Sequence, residues 1–208
     1  MTQIFSSLNL KKLLFALLVF SLISSCSDNK LSLLEPGDKI LAFGDSLTCG
    51  VGSKKGKSYP SYLSELTGLE VINAGISGEV TGQGVKRFKD VLLDSQAGLV
   101  ILMEGGNDIL RNNNLAQTKS NLAAMIQTAK DLQVQVILIG VPEKKLFSDS
   151  ASLYFELAEE HNLVFDGEIL GSLLRNNQYK SDPIHLNSAG YEKFAERIVE
   201  LLRENGAL

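Results

Sequence analysis

Ser46 stands at the end of Ile40-Leu41-Ala42-Phe43-Gly44-Asp45-Ser46-Leu47, where an apolar run stops at a glycine and an acid and a serine follow. A serine hydroxyl is a weak nucleophile and needs a base to take its proton. Histidine suits that role near neutral pH. The chain has two histidines, His161 and His185. Asp182 lies three residues before His185, in Ser181-Asp182-Pro183-Ile184-His185-Leu186-Asn187. That spacing can bring a carboxylate to the ring nitrogen that does not face the serine, fixing the tautomer and stabilising the imidazolium. The same residues have plainer uses. Asp45 or Ser46 suits a helix cap, Asp182-Pro183 a turn, and Asn187 or Ser188 a second cap. His161 comes near the end of a predicted helix, just before Asn162, and reads as structural.

Attack of a serine on an acyl carbonyl builds a tetrahedral oxyanion, which needs donors already in place. Three are available: the backbone N–H of Ser46, the backbone N–H of Gly78 and the side-chain amide of Asn107. Glycine suits a place where backbone must approach a ligand closely. A tight turn also accounts for Gly78, and an N-cap also accounts for Asn107. The cysteines and histidines show no metal-ligand spacing.

The elements that must position these groups follow from periodicity. Ile40 to Phe43 is a first strand. A glycine-rich loop, Gly50 to Lys57, follows it, and its three lysines form a solvated face. Ser58 and Pro60 open a helix with Tyr59, Leu63 and Leu66 on its inner stripe, and Gly68 ends it. Leu69 to Ile72 is a second strand, opening into Asn73 to Gly78. The next helix turns Val85, Phe88 and Leu92 inward. Leu99 to Met103 is a third strand whose continuous apolar run requires cover on both faces. It runs into Glu104-Gly105-Gly106-Asn107-Asp108, and a helix follows with Leu115, Leu122, Met125, Ile126 and Ala129 inward. Val134 to Ile139 is a fourth strand, residues 150–161 a helix, Leu163 to Phe165 a short fifth strand and Glu168 to Leu174 a helical turn. A last helix carries Tyr191, Phe194, Ile198, Leu201 and Leu202 inward.

Strands alternating with helices imply a parallel sheet with right-handed crossovers and helices on both faces, a flavodoxin-like three-layer α/β/α sandwich of about five strands. Every loop after a strand then lies at one edge of the sheet. Ser46, Gly78, Asn107 and His185 all fall in such loops, so their separation in sequence does not keep them apart.

The 208 residues are 44% hydrophobic and 21% charged, which suits one globular domain, residues 39–208, with an addition at the amino end. A formal net charge of -4 argues against a nucleic-acid partner. Lys11 and Lys12 precede an apolar stretch, Leu13 to Ile23, which is about half the roughly 20 residues a spanning helix needs. Residues 1–25 therefore read as a secretory signal. The sequence Leu22-Ile23-Ser24-Ser25-Cys26 resembles the lipobox of bacterial lipoproteins, which implies acylation of Cys26 and membrane attachment at the bacterial cell envelope. An ordinary signal peptide with a chance cysteine is the alternative. Residues 26–38 read as the lipidated cysteine and a polar tether reaching at most about 40 Å. With Cys26 acylated, Cys49 has no disulfide partner and reads as a small packing residue.

Taken together, the motifs resemble those of the SGNH hydrolases, or GDSL esterase/lipase family. Gly44-Asp45-Ser46-Leu47, Asn73 to Gly78, Gly105-Gly106-Asn107-Asp108 and Asp182-Pro183-Ile184-His185 match its four blocks in order. Within the family the chain is similar to the bacterial acyl thioesterase, lysophospholipase and arylesterase branch. The resemblance implies Ser46 as nucleophile, His185 as base, Asp182 as its orienter, and Ser46, Gly78 and Asn107 as oxyanion hole. It implies acyl transfer from an ester or thioester lipid without metal or cofactor. Three alternatives stand beside it: a carbohydrate O-acetyl esterase of the same family, a ligand-binding lipoprotein without catalysis, and a flavin-binding protein. Asp45 to Lys57 lacks the Ser/Thr donors a flavin phosphate would want.

Overall fold

The computed structural model describes residues 31–143 and 150–208. Five strands form one sheet: β1 (Lys39–Gly44), β2 (Glu70–Gly75), β3 (Leu99–Met103), β4 (Gln135–Ile139) and β5 (Val164–Asp166). All four pairings are parallel, and the order is β2-β1-β3-β4-β5. β1 is buried from Ile40 onward and β3 throughout, as strands covered on both faces must be. Helices α1 (Ser46–Cys49) and α2 (Tyr59–Thr67) lie between β1 and β2, and α3 (Thr81–Ser95) leads to β3. Helices α4 (Gly106–Leu110) and α5 (Leu115–Asp131) precede β4, and α6 (Ser152–His161) precedes β5. The chain closes with α7 (Ile169–Arg175) and α8 (Ser188–Glu204). Helix α2 packs on α8, and α3 packs on α5, giving the expected three layers.

This strand order reverses direction between β1 and β3. In doubly wound sheets that switch opens a crevice beyond the carboxyl ends of the strands. The loops after β1 and β3 carry Ser46 and Asn107, so the topology alone places both at the crevice.

Several expectations are corrected. β2 runs on to Gly75 rather than stopping at Ile72, because Asn73, Ala74 and Gly75 stay in register with Ala42, Phe43 and Gly44. Leu66 and Leu115 are exposed at 48% and 40% rather than buried. Leu66 lies near the end of α2, beyond the buried Tyr59, Tyr62 and Leu63. Leu115 opens α5, whose buried stripe begins at Thr118. Cys49 is exposed, not packed. It lies three residues after Ser46 in a one-turn helix, a spacing that puts it on the same outward side.

Residues 31–38 are not a free tether. The N–H groups of Leu31 and Leu34 donate to the carbonyls of Asn205 and Ala207, and Leu34 is buried. The Gln135 side chain meets the backbone of Ser32. This segment therefore sits at the amino edge of the sheet, opposite the crevice. The expected leader, residues 1–25, and Cys26 lie outside the described residues.

Candidate active site

Asp45 both caps α1 and leaves Ser46 presented. Its Oδ1 accepts the Leu47 N–H at 3.1 Å, so the first turn starts one residue after β1 ends. The cap on α1 and the presentation of Ser46 coexist in this tripeptide. Asn73 braces the same turn from β2, donating its amide to the Thr48 carbonyl at 2.9 Å.

His185 reaches this serine from the other end of the chain. Its Nε2 lies 3.0 Å from Ser46 Oγ, and its Nδ1 lies 2.8 Å from Asp182 Oδ2. The Asp182 Oδ1 accepts the N–H groups of Ile184 and His185, both at 2.9 Å, so the Asp-Pro turn itself presents the imidazole. Burial pushes the Asp182 carboxyl up, but those two N–H bonds and the His185 ring outweigh it and hold the group below its ordinary range. Asn187 caps α8 through the Gly190 N–H at 3.0 Å. His161 closes α6 just before β5 starts, at the amino edge, apart from this cluster.

The proposed oxyanion donors lie on neighbouring loops. Gly78 takes φ +81°, a conformation that costs an L side chain energy and glycine little. Its carbonyl accepts from the Arg111 guanidinium at 2.9 Å, which fixes the orientation of that stretch of backbone. Asn107 does not cap α4. Gly105 occupies the cap position, and the Asn107 amide donates to Asp45 Oδ2 at 3.3 Å. Asp108 is buried and accepts the Thr81 N–H at 2.8 Å and its hydroxyl at 3.1 Å. It thereby ties the start of α3, just beyond Gly78, to the Asn107 turn.

Two residues around the site went unread in the sequence. Arg111 lies past the third motif on a polar stretch with no periodic signal. Glu104 reads as an ordinary acid at a strand end, yet it is fully buried and neither carboxylate oxygen has a hydrogen-bond partner. Burial, reinforced by Asp45 and Glu79, pushes its carboxyl up to about 10. Burial likewise pushes Asp45 up to about 6, against the Leu47 N–H and His185. Glu79 makes an ion pair with Arg87, whose guanidinium also stacks 4.0 Å from the Phe43 ring centroid.

A cavity of about 500 Å³ opens on Ser46. Leu47, Ile109, Leu110, Val141, Leu174 and Ile184 give it an apolar lining. Val141, Pro142 and Glu143 border it after β4, and residues 144–149, which follow, lie outside the described residues. Among the described residues no group of three or more His, Cys, Asp or Glu side chains is arranged to hold a metal ion. No helix among them is long and apolar enough to cross a membrane.

Fold and site together define the chain as an α/β carboxylic ester hydrolase. Residues 42–193 match the GDSL-like Lipase/Acylhydrolase family, and the chain belongs to that family. It is 33% identical over 160 residues to an arylesterase of Vibrio mimicus, covering 72% of this chain and 76% of the relative. It is 31% identical over 106 residues to thioesterase 1/protease 1/lysophospholipase L1 of Escherichia coli strain K12, spanning about half of each (50% and 51%). The solved structure of AlinE4, an SGNH-hydrolase family esterase, superposes with a TM-score of 0.63 at 30% identity, covering 82% of this chain and 97% of that one.

Proposed function

We propose that this chain hydrolyses carboxylic ester or thioester bonds of acyl lipids through an acyl-enzyme on Ser46. The observation that carries the reading is the unbroken chain of hydrogen bonds from Ser46 Oγ through the His185 ring to Asp182. With Nδ1–H donating to Asp182, Nε2 is free to accept the serine proton. As that proton passes to Nε2, Ser46 Oγ bonds to the acyl carbon and the carbonyl oxygen becomes an oxyanion. The N–H groups of Ser46 and Gly78 and the Asn107 amide hold it. Collapse breaks the bond to the leaving oxygen or sulfur, which takes the proton from His185. Water then adds to the acyl carbon, giving a proton to His185, and the acid departs as that proton returns to Ser46. The apolar lining of the cavity supports an acyl chain as its occupant, as does a relative named as a thioesterase and lysophospholipase.

A panel of p-nitrophenyl esters and acyl thioesters of increasing chain length tests this reading. Medium or long chains should be preferred; a strict preference for acetyl would instead favour a carbohydrate O-acetyl esterase. Ser46→Ala should abolish hydrolysis with the circular dichroism spectrum unchanged, and near wild-type turnover would remove the serine from the mechanism.

We also infer attachment at the bacterial cell envelope through an acylated Cys26. Support comes from Lys11 and Lys12, the short apolar stretch after them, and Ile23-Ser24-Ser25-Cys26. Cys26→Ser should move the protein from the membrane to the soluble fraction. Unchanged fractionation would mean another attachment.

A further inference from the structure

The chain enters the domain at a pinned point. Leu31 and Leu34 donate their N–H groups to the carbonyls of Asn205 and Ala207 at 2.8 and 3.0 Å, and Leu34 belongs to the buried core. Gln135, the first residue of β4, holds the backbone of Ser32 through both ends of its side-chain amide. Asn205 directly follows α8, which runs 17 residues from Ser188 to Glu204. Ser188 lies three residues after His185. At the rise of an α-helix, α8 sets about 25 Å between the catalytic loop and the place where Leu31 docks. Ser46 stands at the catalytic end as well, because β1 climbs from Lys39 at the amino edge to Gly44.

Only Ser27 to Lys30 separate Cys26 from the docked Leu31. That stretch spans at most about 18 Å when fully extended. To lay the crevice on the leaflet that holds Cys26, Leu31 would have to stand at least about 25 Å above it, the height of α8. The tether is too short for that. Releasing residues 31–34 to lengthen it would break their backbone hydrogen bonds and bring Leu34 into water. We propose that the Ser46 crevice does not face the membrane that anchors the chain, and that its acyl ester is presented from beyond that leaflet, in solution or on a facing surface. The inference rests on the acylation of Cys26 and on the hydrolase reading of Ser46, and adds to them the place from which the substrate comes.

The test uses the full-length acylated protein in vesicles of diether phosphatidylcholine, whose matrix has no acyl ester to cleave. A variant carries about 20 Gly/Ser residues inserted between Lys30 and Leu31, which gives the tether a mean reach of about 25 Å. The probe is a diether lipid with an umbelliferyl alkanoate on its headgroup, placed in the same vesicles or in a second population. Both proteins should turn over dissolved p-nitrophenyl butyrate equally. On the same-vesicle ester the insertion variant should be at least about tenfold faster than wild type. Wild-type cleavage in the second population would assign a facing surface as the source; cleavage of the dissolved ester alone would assign solution. A fluorophore on Cys49, exposed and three residues from Ser46, reads orientation without turnover. Its energy transfer to acceptor lipids in the anchoring bilayer should be weak in wild type and stronger in the insertion variant. Equal rates of the two proteins on the same-vesicle ester, or equal energy transfer, would overturn the proposal and leave both underlying readings standing. Wild type inert on p-nitrophenyl butyrate would overturn the hydrolase reading, and protein that does not float with the vesicles would overturn the acylation; the proposal falls with either.

Discussion

At the scale of single residues, Asp45 and Asp182 each divide their two carboxylate oxygens between holding their own turn and holding a neighbouring side chain. Asp182 uses one oxygen to hold its own turn and the other to hold the imidazole, so the ring has little freedom to rotate away from Ser46. Asn107 is held by Asp45, the residue that also caps the serine turn, so the proposed donor and the proposed nucleophile share one anchor. A preorganised donor is worth more than a mobile one, because no reorganisation is needed as charge develops. Asn107→Ala should lower kcat by roughly 100-fold with a small change in KM, measured on any ester the wild type turns over. A loss below about threefold would leave Asn107 only a structural ligand of Asp45. Cys49 lies close in sequence but faces outward, and nothing in the geometry gives it a part.

At the scale of elements, the loop after α1 clamps the two halves of the site together. Gly52 takes φ +92°, and a Cβ there would come within 2.2 Å of Ser181 Oγ and 2.5 Å of the Leu186 carbonyl. The Tyr191 hydroxyl, from α8, donates to the Val51 carbonyl at 2.8 Å, and the Lys54 N–H donates to Ser188 Oγ at 3.1 Å. The segment that follows the serine is thus seated directly on the segment that carries His185. Gly52→Ala should push residues 181–186 away and lower kcat by on the order of tenfold or more, since small misplacements of a catalytic group are costly. KM should move much less. Retention of full kcat would show that the two segments are registered elsewhere. The clamp lies in a stretch whose sequence reads only as a glycine-rich, lysine-bearing loop.

At the scale of the whole molecule, a buried acid sits beneath the site in the packing between sheet and helices. The Glu104 carboxyl carbon comes within 3.8 Å of where a Cβ on Gly84 of α3 would stand. Its carboxyl is raised from 4.5 to about 10, so the folded protein holds a proton that the unfolded chain releases above its ordinary value. The unfolded state therefore binds fewer protons across that window, and stability falls as pH rises through it. The contribution is fully present at low pH and is lost as pH approaches 10. Glu104→Gln keeps the shape and removes the titration. Relative to wild type its unfolding free energy should rise steadily between pH 6 and pH 9, with a slope of at most about 1.4 kcal/mol per pH unit. Parallel free-energy curves across that range would mean that Glu104 is solvated or paired. The amino-terminal segment adds a second feature at this scale. Residues 31–38 are seated at the amino edge of the sheet, so the chain enters the domain on the side opposite Ser46.

What the sequence determined by itself is the order and type of the elements and the four short blocks at the strand ends, because those depend on local pattern. A continuous apolar run at Leu99 to Met103 means a covered strand wherever it occurs, and a parallel sheet forces the loops after its strands to one rim. Ser46 and Asn107 were legible for that reason; Asp182 and His185, expected in a loop after a strand, instead follow helix α7, and their own three-residue spacing made them legible. Only the tertiary structure decided what depends on the meeting of distant segments. It placed the Arg111 guanidinium on the Gly78 carbonyl, buried Glu104 without a partner, seated Gly52 against Ser181 and docked Leu31 and Leu34 beside α8. None of these carries a periodic or compositional signal, because each is a contact between side chain or backbone groups whose proximity is set by packing rather than by spacing along the chain.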